Sequence, residues 1–458
     1  MFGLGRTGLS AAKALKAGGA RVHAWDDNEE TRVKAEAAGL TLSDINKRDW
    51  QTFAALVLSP GVPYKFPQPH RIVRMAEMTN VPVVGDMELF ARAVQALPER
   101  GRPKIVAITG TNGKSTTTAL IGHILKHAGR DARIGGNIGT GVLDLAPLHA
   151  NATYVLELSS YQLDLVKSLH CDVAVLLNIT PDHLDRHGGM DGYQAAKMRI
   201  FQNQTEKDVA IIGFDDVITQ SIAIGLSANG PARVVQASST YALGRGVSAV
   251  DGRLYDSNSG QAQFVGNLSD CMALPGRHNH QNAAAAYAAC RALGLDPQTI
   301  MDGIRTFPGL AHRLEMVGEI DGVKFVNDSK ATNAEAAEQA LKAYKKAYWI
   351  AGGVSKAEGI LPLAPLFPNI TKAYLIGDSE ETFAATLKGK VALQTCGTLE
   401  NAVQAAFRDA KVVGDENPVI LLSPACASFD QFRDFEHRGD VFRSIVQSMM
   451  PQELKELA

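Results

Sequence analysis

Hydrophobic positions along the chain come as short unbroken runs, each ending in a polar or glycine-bearing turn and followed by a helix-like stretch. Ile105 to Ile108, Tyr154 to Leu158 and Val173 to Leu177 are runs of this kind, and Ala54 to Leu58 is another nearer the start. Runs without polar alternation fit strands covered on both faces, as in a parallel sheet with helices on either side. A further set, Val323 to Val326, Ala347 to Ala351, Ala373 to Ile376 and Pro418 to Leu422, is again interleaved with helical patterns. The pattern predicts an α/β fold with mainly parallel sheets. Between Asp216 and Asp270 it predicts only short strands and turns such as Asp251-Gly252, and Gly135 to Gly139 reads as a loop. Breaker clusters at Leu97 to Pro103 and Thr306 to Gly309 predict three domains, 1–97, 98–306 and 307–458.

Bulk properties narrow the class. A length of 458 residues suits about three domains at ~100–200 residues each. Hydrophobic content of 45%, charged content of 21% and a net charge of −2 fit a globular protein and give no electrostatic reason to expect nucleic acid or an anionic membrane as partner. No apolar run approaches the ~20 residues that span a bilayer. Cys171, Cys271, Cys290, Cys396 and Cys426 form no close pairs and no metal spacing, which suits a reducing compartment, so a cytoplasmic location is expected.

Candidate chemistry concentrates at the ends of the apolar runs, where open α/β sheets hold ligands. After Ile108 comes Thr109-Gly-Thr-Asn-Gly-Lys-Ser-Thr116, a strand, a Gly-rich turn and a helix start. Backbone N–H groups and a positive helix end at Gly110, Thr111, Asn112 and Gly113 suit a polyphosphate. Lys114 adds a mobile charge, and the hydroxyl of Ser115 or Thr116 suits Mg²⁺. The strict phosphate-loop pattern wants glycine where Ile108 stands, so the turn is a shortened version.

The chain opens on Gly3-Leu-Gly-Arg-Thr-Gly8, with Asp26 and Asp27 about 20 positions on, the spacing of a Rossmann-like dinucleotide unit whose first strand is reduced to Met1 and Phe2. A nicotinamide or flavin cofactor is one reading; a nucleotide-linked substrate bound by its diphosphate fits better beside a phosphate loop. Ser59, in the turn after Leu58, lies at a strand end. Glu157 closes its apolar run and suits a metal ligand or a solvent-facing acid, while Asn178 to His187 is a loop carrying acids and histidines. Lys197 has no feature that sets it apart from a surface lysine. Asn282, at the start of an Ala-rich helix, suits a cap or a contact to a base edge, and by itself reads as a cap. Lys330, Lys356 and Ser428 suit capture of a small carboxylate, or are solvated surface groups.

Taken together, Thr109 to Thr116, Glu157-Leu-Ser-Ser-Tyr-Gln162, Leu177-Asn-Ile-Thr-Pro-Asp-His183, His278-Asn-His-Gln-Asn-Ala283 and Asn327-Asp-Ser-Lys-Ala-Thr-Asn333 resemble, in order and spacing, the Mur ligases of peptidoglycan synthesis. The run Leu422 to Phe432 with Phe435-Glu-His-Arg-Gly439 resembles the branch that adds D-glutamate to UDP-N-acetylmuramoyl-L-alanine. The resemblance implies a Rossmann-like N-terminal domain for the uridine diphosphate end, a central P-loop ATPase domain and a Rossmann-like C-terminal domain for the amino acid. It also implies an acyl-phosphate mechanism with ATP and two Mg²⁺ ions, and a monomer acting on small molecules. By position, it places Lys114, His183 and Lys197 in catalysis, and Ser115, Glu157, His183 and Lys197, the last carbamylated, around the ions. Asn282, Arg313 and Asp328 become ATP contacts beside residues 110–116. Gly5, Arg6, Thr7, Asp26, Asp27, Ser59 and Asn137 would hold the nucleotide sugar, and Lys330, Thr332, Lys356, Ser428 and Phe435 the D-glutamate. Asp27 and Asn28 stand where some relatives have threonine and arginine. A sibling ligase, or one like folylpolyglutamate synthase adding a different amino acid, would keep the ATP site and change the C-terminal pocket.

Overall fold

The computed structural model describes residues 1–271, 273–413 and 417–450. They form two compact units, one of Met1–Cys271 with Arg277–Phe307 and one of 273–276 with the chain from Pro308 onward.

The first unit carries two sheets. The smaller pairs Leu56–Val57 in parallel with Val83–Val84. Phe2 extends it, bridging Leu58 on one side and Trp25 on the other. The first strand, short in sequence, is therefore a single residue bonded on both sides: its N–H donates to Val57 O, and Gly3 N–H to Trp25 O. Phe2, Trp50, Leu58, Ile72 and Val83 close the core beneath it.

The larger sheet has nine strands. Lys104–Thr109 lies between Ala152–Glu157 and Val173–Leu176, parallel to both. Asp131–Gly136 closes one side in parallel, and Val209–Gly213, Arg233–Ser238 and Val247–Val250 continue the other. Arg253–Asp256 is reversed, pairing antiparallel with both Val247–Val250 and Gln263–Asn267. Every residue from Ile105 to Thr109 and from Ala152 to Glu157 is buried, which is why these strands read as unbroken apolar runs. Because the three central strands are adjacent and parallel, the turns after Thr109, Glu157 and Leu176 leave the sheet at one edge.

The second unit holds a six-stranded sheet. Val323–Asn327, Val419–Leu422, Ala347–Gly352, Ile370–Ile376 and Ala392–Gly397 are parallel neighbours in that order. Glu315–Ile320 pairs antiparallel at the other edge through the two-residue turn Asp321-Gly322, both at positive φ as a tight hairpin requires. Buried clusters cover both faces, one around Trp349, Leu375 and Leu421, the other around Phe325, Tyr374 and Phe442.

Three sequence expectations are corrected. The stretch after Asp216 contains the helix Val217–Asn229, capped by the Asp216 side chain on Thr219 N–H. Gly135 and Gly136 belong to the strand Asp131–Gly136. Asn282 lies inside the helix Arg277–Ala292, past its first turn, and caps nothing.

Candidate active site

The phosphate loop is held from several sides. Gly110 and Gly113 take φ of 153° and 82°, and a side chain at 113 would overlap the Asn282 amide. Asn282 is buried and donates to Asn279 Oδ1 at 3.1 Å, so it forms a fixed wall against the loop. Asn178, from the neighbouring strand end, accepts from Asn112 N–H at 2.8 Å and donates back to Asn112 O at 3.1 Å. Thr111 is fastened to Thr180 and to the Tyr193 hydroxyl. The helix Lys114–His127 starts on Gly113 with no capping side chain, and Ser115 and Thr116 are buried in its first turn. Its first-turn N–H groups and positive end are set for an anion.

Two lysines converge on one atom. Lys114 Nζ donates to Gly110 O at 2.9 Å and Thr111 O at 2.6 Å, and Lys197 Nζ donates to the same Gly110 O at 2.7 Å. Lys197, bland in sequence, is only 1% exposed and lies over the Tyr193 ring. Burial, with the Lys114 charge beside it, pulls its ammonium down to about 7. A buried amine that readily gives up its proton beside a cationic loop is a reactive group in an anion site.

Glu157 ends the next strand and is buried, which removes the solvent-facing reading. Its Oε1 accepts from Asn137 Nδ2 at 2.8 Å, and Oε2 has no partner. An orphan buried carboxylate oxygen, with the Ser115 hydroxyl at the start of the neighbouring helix, is the hard oxygen chemistry that Mg²⁺ takes. The other two expected ligands differ. His183 is half exposed at φ 52°, 3.4 Å from Asp182, and Lys197 stands as a donor to a carbonyl. No group of three His, Cys, Asp or Glu side chains among the described residues is gathered around one point.

Asn137 also joins Glu157 to the N-terminal turn, since its carbonyl accepts from Arg6 Nη2 at 3.4 Å. Gly5 precedes the helix Arg6–Ala17, which includes Thr7, and a side chain at Gly8 would overlap Gly3 O, so turn and helix pack closely. Ser59 abuts Gly3. Asp26 accepts from Leu4 N–H at 2.6 Å and Asn28 N–H at 2.9 Å, bracing the turn. Asp27 is held by Arg71 through two bonds and by His70 at 3.2 Å. Sequence reading missed Arg71 and His70, which lie far from Asp27 along the chain and in no motif.

In the second unit, Asp328 follows the strand Val323–Asn327 and is buried. It accepts from Ser423 Oγ at 2.7 Å and Leu314 N–H at 3.3 Å; burial pushes its carboxyl up to about 7, against the pull of Arg313. Lys330 Nζ lies 5.3 Å over the Phe435 ring, and Thr332 N–H donates to Lys330 O. The bridge between Val354 and Ala427 sets the exposed Lys356 turn beside the buried Ser428. Arg438 was not singled out in sequence. It is buried and donates to Ser329 Oγ, Ser329 O and Cys426 O, tying the turns after two strands together.

A phosphate loop at the carboxyl edge of a parallel sheet, with converging lysines and an orphan acid, defines a nucleotide-binding α/β protein of the phosphoryl-transfer kind. The sequence matches two family descriptions, Mur ligase middle domain over residues 108–290 and Mur ligase, glutamate ligase domain over residues 312–426. The UDP-N-acetylmuramoylalanine–D-glutamate ligase of Caulobacter vibrioides is 59% identical over 449 residues, covering 98% of this chain and 95% of that relative. The chain belongs to the Mur ligase family. Among solved structures, UDP-N-acetylmuramate–alanine ligase of Thermotoga maritima matches with a TM-score of 0.58 at 18% identity over 98% of this chain and 99% of that one. A MurF ligase of the same organism in complex with ADP matches at 0.53 and 18% over 88% of this chain and 100% of that one, and both share the fold.

Proposed function

We propose that this chain joins D-glutamate to UDP-N-acetylmuramoyl-L-alanine at the expense of ATP. The observation that carries the proposal is the convergence of Lys114 and Lys197 on Gly110 O beside the orphan oxygen of Glu157. The identity to D-glutamate ligases across nearly the whole chain supports the choice of substrates.

The reaction is a γ-phosphoryl transfer to the substrate carboxylate followed by attack of the amino-acid amine, which displaces phosphate and leaves the amide. Both partners of the first step are anions, so positioning and charge neutralisation carry most of the barrier. The helix start at Lys114 and the Lys114 ammonium take the phosphates. Asn282, Arg313 and Asp328 are assigned to ATP as well. Ser115 and Glu157 would hold Mg²⁺, with His183 and Lys197 toward a second ion, and the metal would supply further neutralisation of the phosphates. A Lys197 amine with a proton affinity near neutrality reacts with CO₂, forming an N–C bond and losing a proton, and so exchanges a cation for an anionic oxygen donor.

Arg6, Thr7, Gly5, Asp26, Asp27, Ser59 and Asn137 hold the nucleotide sugar. Lys330, Thr332, Lys356, Ser428 and Phe435 hold D-glutamate. The functional division is 1–97, 98–306 and 307–458, acting as a monomer in the cytoplasm. No helix among the described residues is long and apolar enough to cross a membrane.

The test is phosphate release from Mg²⁺-ATP with UDP-N-acetylmuramoyl-L-alanine and a panel of D-glutamate, L-glutamate, D-alanine, L-lysine or no amino acid. Release that requires both the nucleotide sugar and D-glutamate is expected. Release with another amino acid instead assigns a sibling reaction and refutes this one.

A further inference from the structure

The His187 ring is buried where three elements meet, and the reaction described above assigns it nothing. It ends the short helix Leu184–His187 that follows His183. Its Nε2 lies 2.9 Å from Ser160 Oγ and its Nδ1 3.2 Å from Asp164 Oδ2. The Ser160 hydroxyl is hydrogen-bonded to Nε2, and the Asp164 carboxylate lies against Nδ1. The helix Ser160–Asp164 thus grips the imidazole at both nitrogens.

The order Ser, His, Asp invites a nucleophilic reading, which burial refutes. Ser160 is 3% and His187 4% exposed, leaving no room for a substrate at the hydroxyl. What the ring does reach is other rings. It stacks on Tyr161 at 5.5 Å and 13°, and Tyr161 lies 5.0 Å from the His183 ring with the Arg186 guanidinium over it. It also meets Tyr193 at 5.4 Å. Tyr193 bonds Thr111 of the phosphate loop through its hydroxyl and carries the Lys197 amine over its ring. One side chain therefore reaches His183 through one ring and Lys197 and the loop through another. The backbone around it is equally constrained: Gly188 and Gly189 are at positive φ, and a side chain at Gly192 would overlap His187 O.

We infer that His187 is a positioning residue: anchored by Ser160 and Asp164, it fixes His183 in register with Lys197 and the phosphate loop. The inference rests on the reading that His183 and Lys197 serve the phosphoryl transfer. It predicts an effect on turnover, with capture of D-glutamate unaffected, because the residues assigned to the amino acid belong to the second unit and these rings to the first.

The experiment uses the full chain with His187→Leu, which removes the ring and its polar contacts, and His187→Phe, which restores the ring alone. Melting temperature, kcat, the KM for D-glutamate and the His183 imidazole signal of ¹³C-histidine-labelled, nucleotide-free protein are read for each. For folded His187→Leu, kcat should fall about 10–100-fold, the range for supporting residues of this kind. The KM for D-glutamate should stay unchanged and the His183 signal should move away from its position over Tyr161. His187→Phe should recover part of both. A folded His187→Leu protein with parental kcat overturns the inference, as does a fall in kcat with an unmoved His183 signal. If His187→Leu does not fold, Ser160→Ala, which removes one anchor, is held to the same readouts and the same criteria. A parent chain without D-glutamate-dependent phosphate release refutes the functional reading instead, and the His183 signal then decides the positioning alone.

Discussion

Asp86 shows what burial does to a single group. It opens the helix Asp86–Gln95 fully buried, with Gln162 Nε2 on Oδ2 at 3.2 Å and no partner on Oδ1. Burial pushes its carboxyl up to about 6. A carboxyl that binds its proton more tightly folded than unfolded favours the fold below its unfolded value, and that contribution is lost as pH rises from about 4 through about 6. Asp86→Asn should therefore raise the melting temperature at pH 8 and give little or no gain at pH 4. The gain is at most about 3 kcal/mol and is reduced by the unpartnered amide hydrogen it introduces. A shift of the same size at both pH values would refute the assignment. The same physics limits what sequence reveals of single residues. Along the chain Lys197 looks like an ordinary surface charge, and Glu157 reads as either a metal ligand or a solvent-facing acid. Their meaning comes from an orphan oxygen and a shared carbonyl, neither of which has a local signature. Only the resemblance to a family drew attention to Lys197; spacing alone did not.

At the level of elements, legibility follows burial. The strands Lys104–Thr109, Ala347–Gly352 and Val419–Leu422 are covered on both faces and stand out as apolar runs. The edge strands Glu315–Ile320 and Ala392–Gly397 are half exposed and carry polar residues, so no run marks them. The helix Val217–Asn229 escaped for the opposite reason: Val217 and Ile224 are exposed apolar residues that blur its face. What announces that helix is its cap. Asp216 accepts from Thr219 N–H at 2.9 Å and from Thr219 Oγ1 at 2.7 Å. Asp216→Ala should cost about 1 kcal/mol, read as a lowered melting temperature, and Asp216→Ser should restore most of it. An unchanged melting temperature for Asp216→Ala would show that packing against the sheet alone holds the helix.

For the whole molecule, parallel sheets gather chemistry that is scattered along the chain. Neighbouring strands deliver the phosphate loop, Glu157 and Asn178 to one sheet edge, while the second unit carries Asp328, Lys330 and Ser428 in the turns after its own strands and Phe435 at the start of the helix Phe435–Met449. The α/β class was readable from the runs. Which turns share an edge was not, because strand order is set by crossover connections that leave no mark in composition. The chain activates a carboxylate by phosphorylation. The most direct measurement is turnover of UDP-N-acetylmuramoyl-L-alanine carrying ¹⁸O in its terminal carboxylate, with mass analysis of the phosphate released. Acyl-phosphate formation predicts that one ¹⁸O from the carboxylate appears in the phosphate for each amide formed. Unlabelled phosphate released alongside the amide would contradict it.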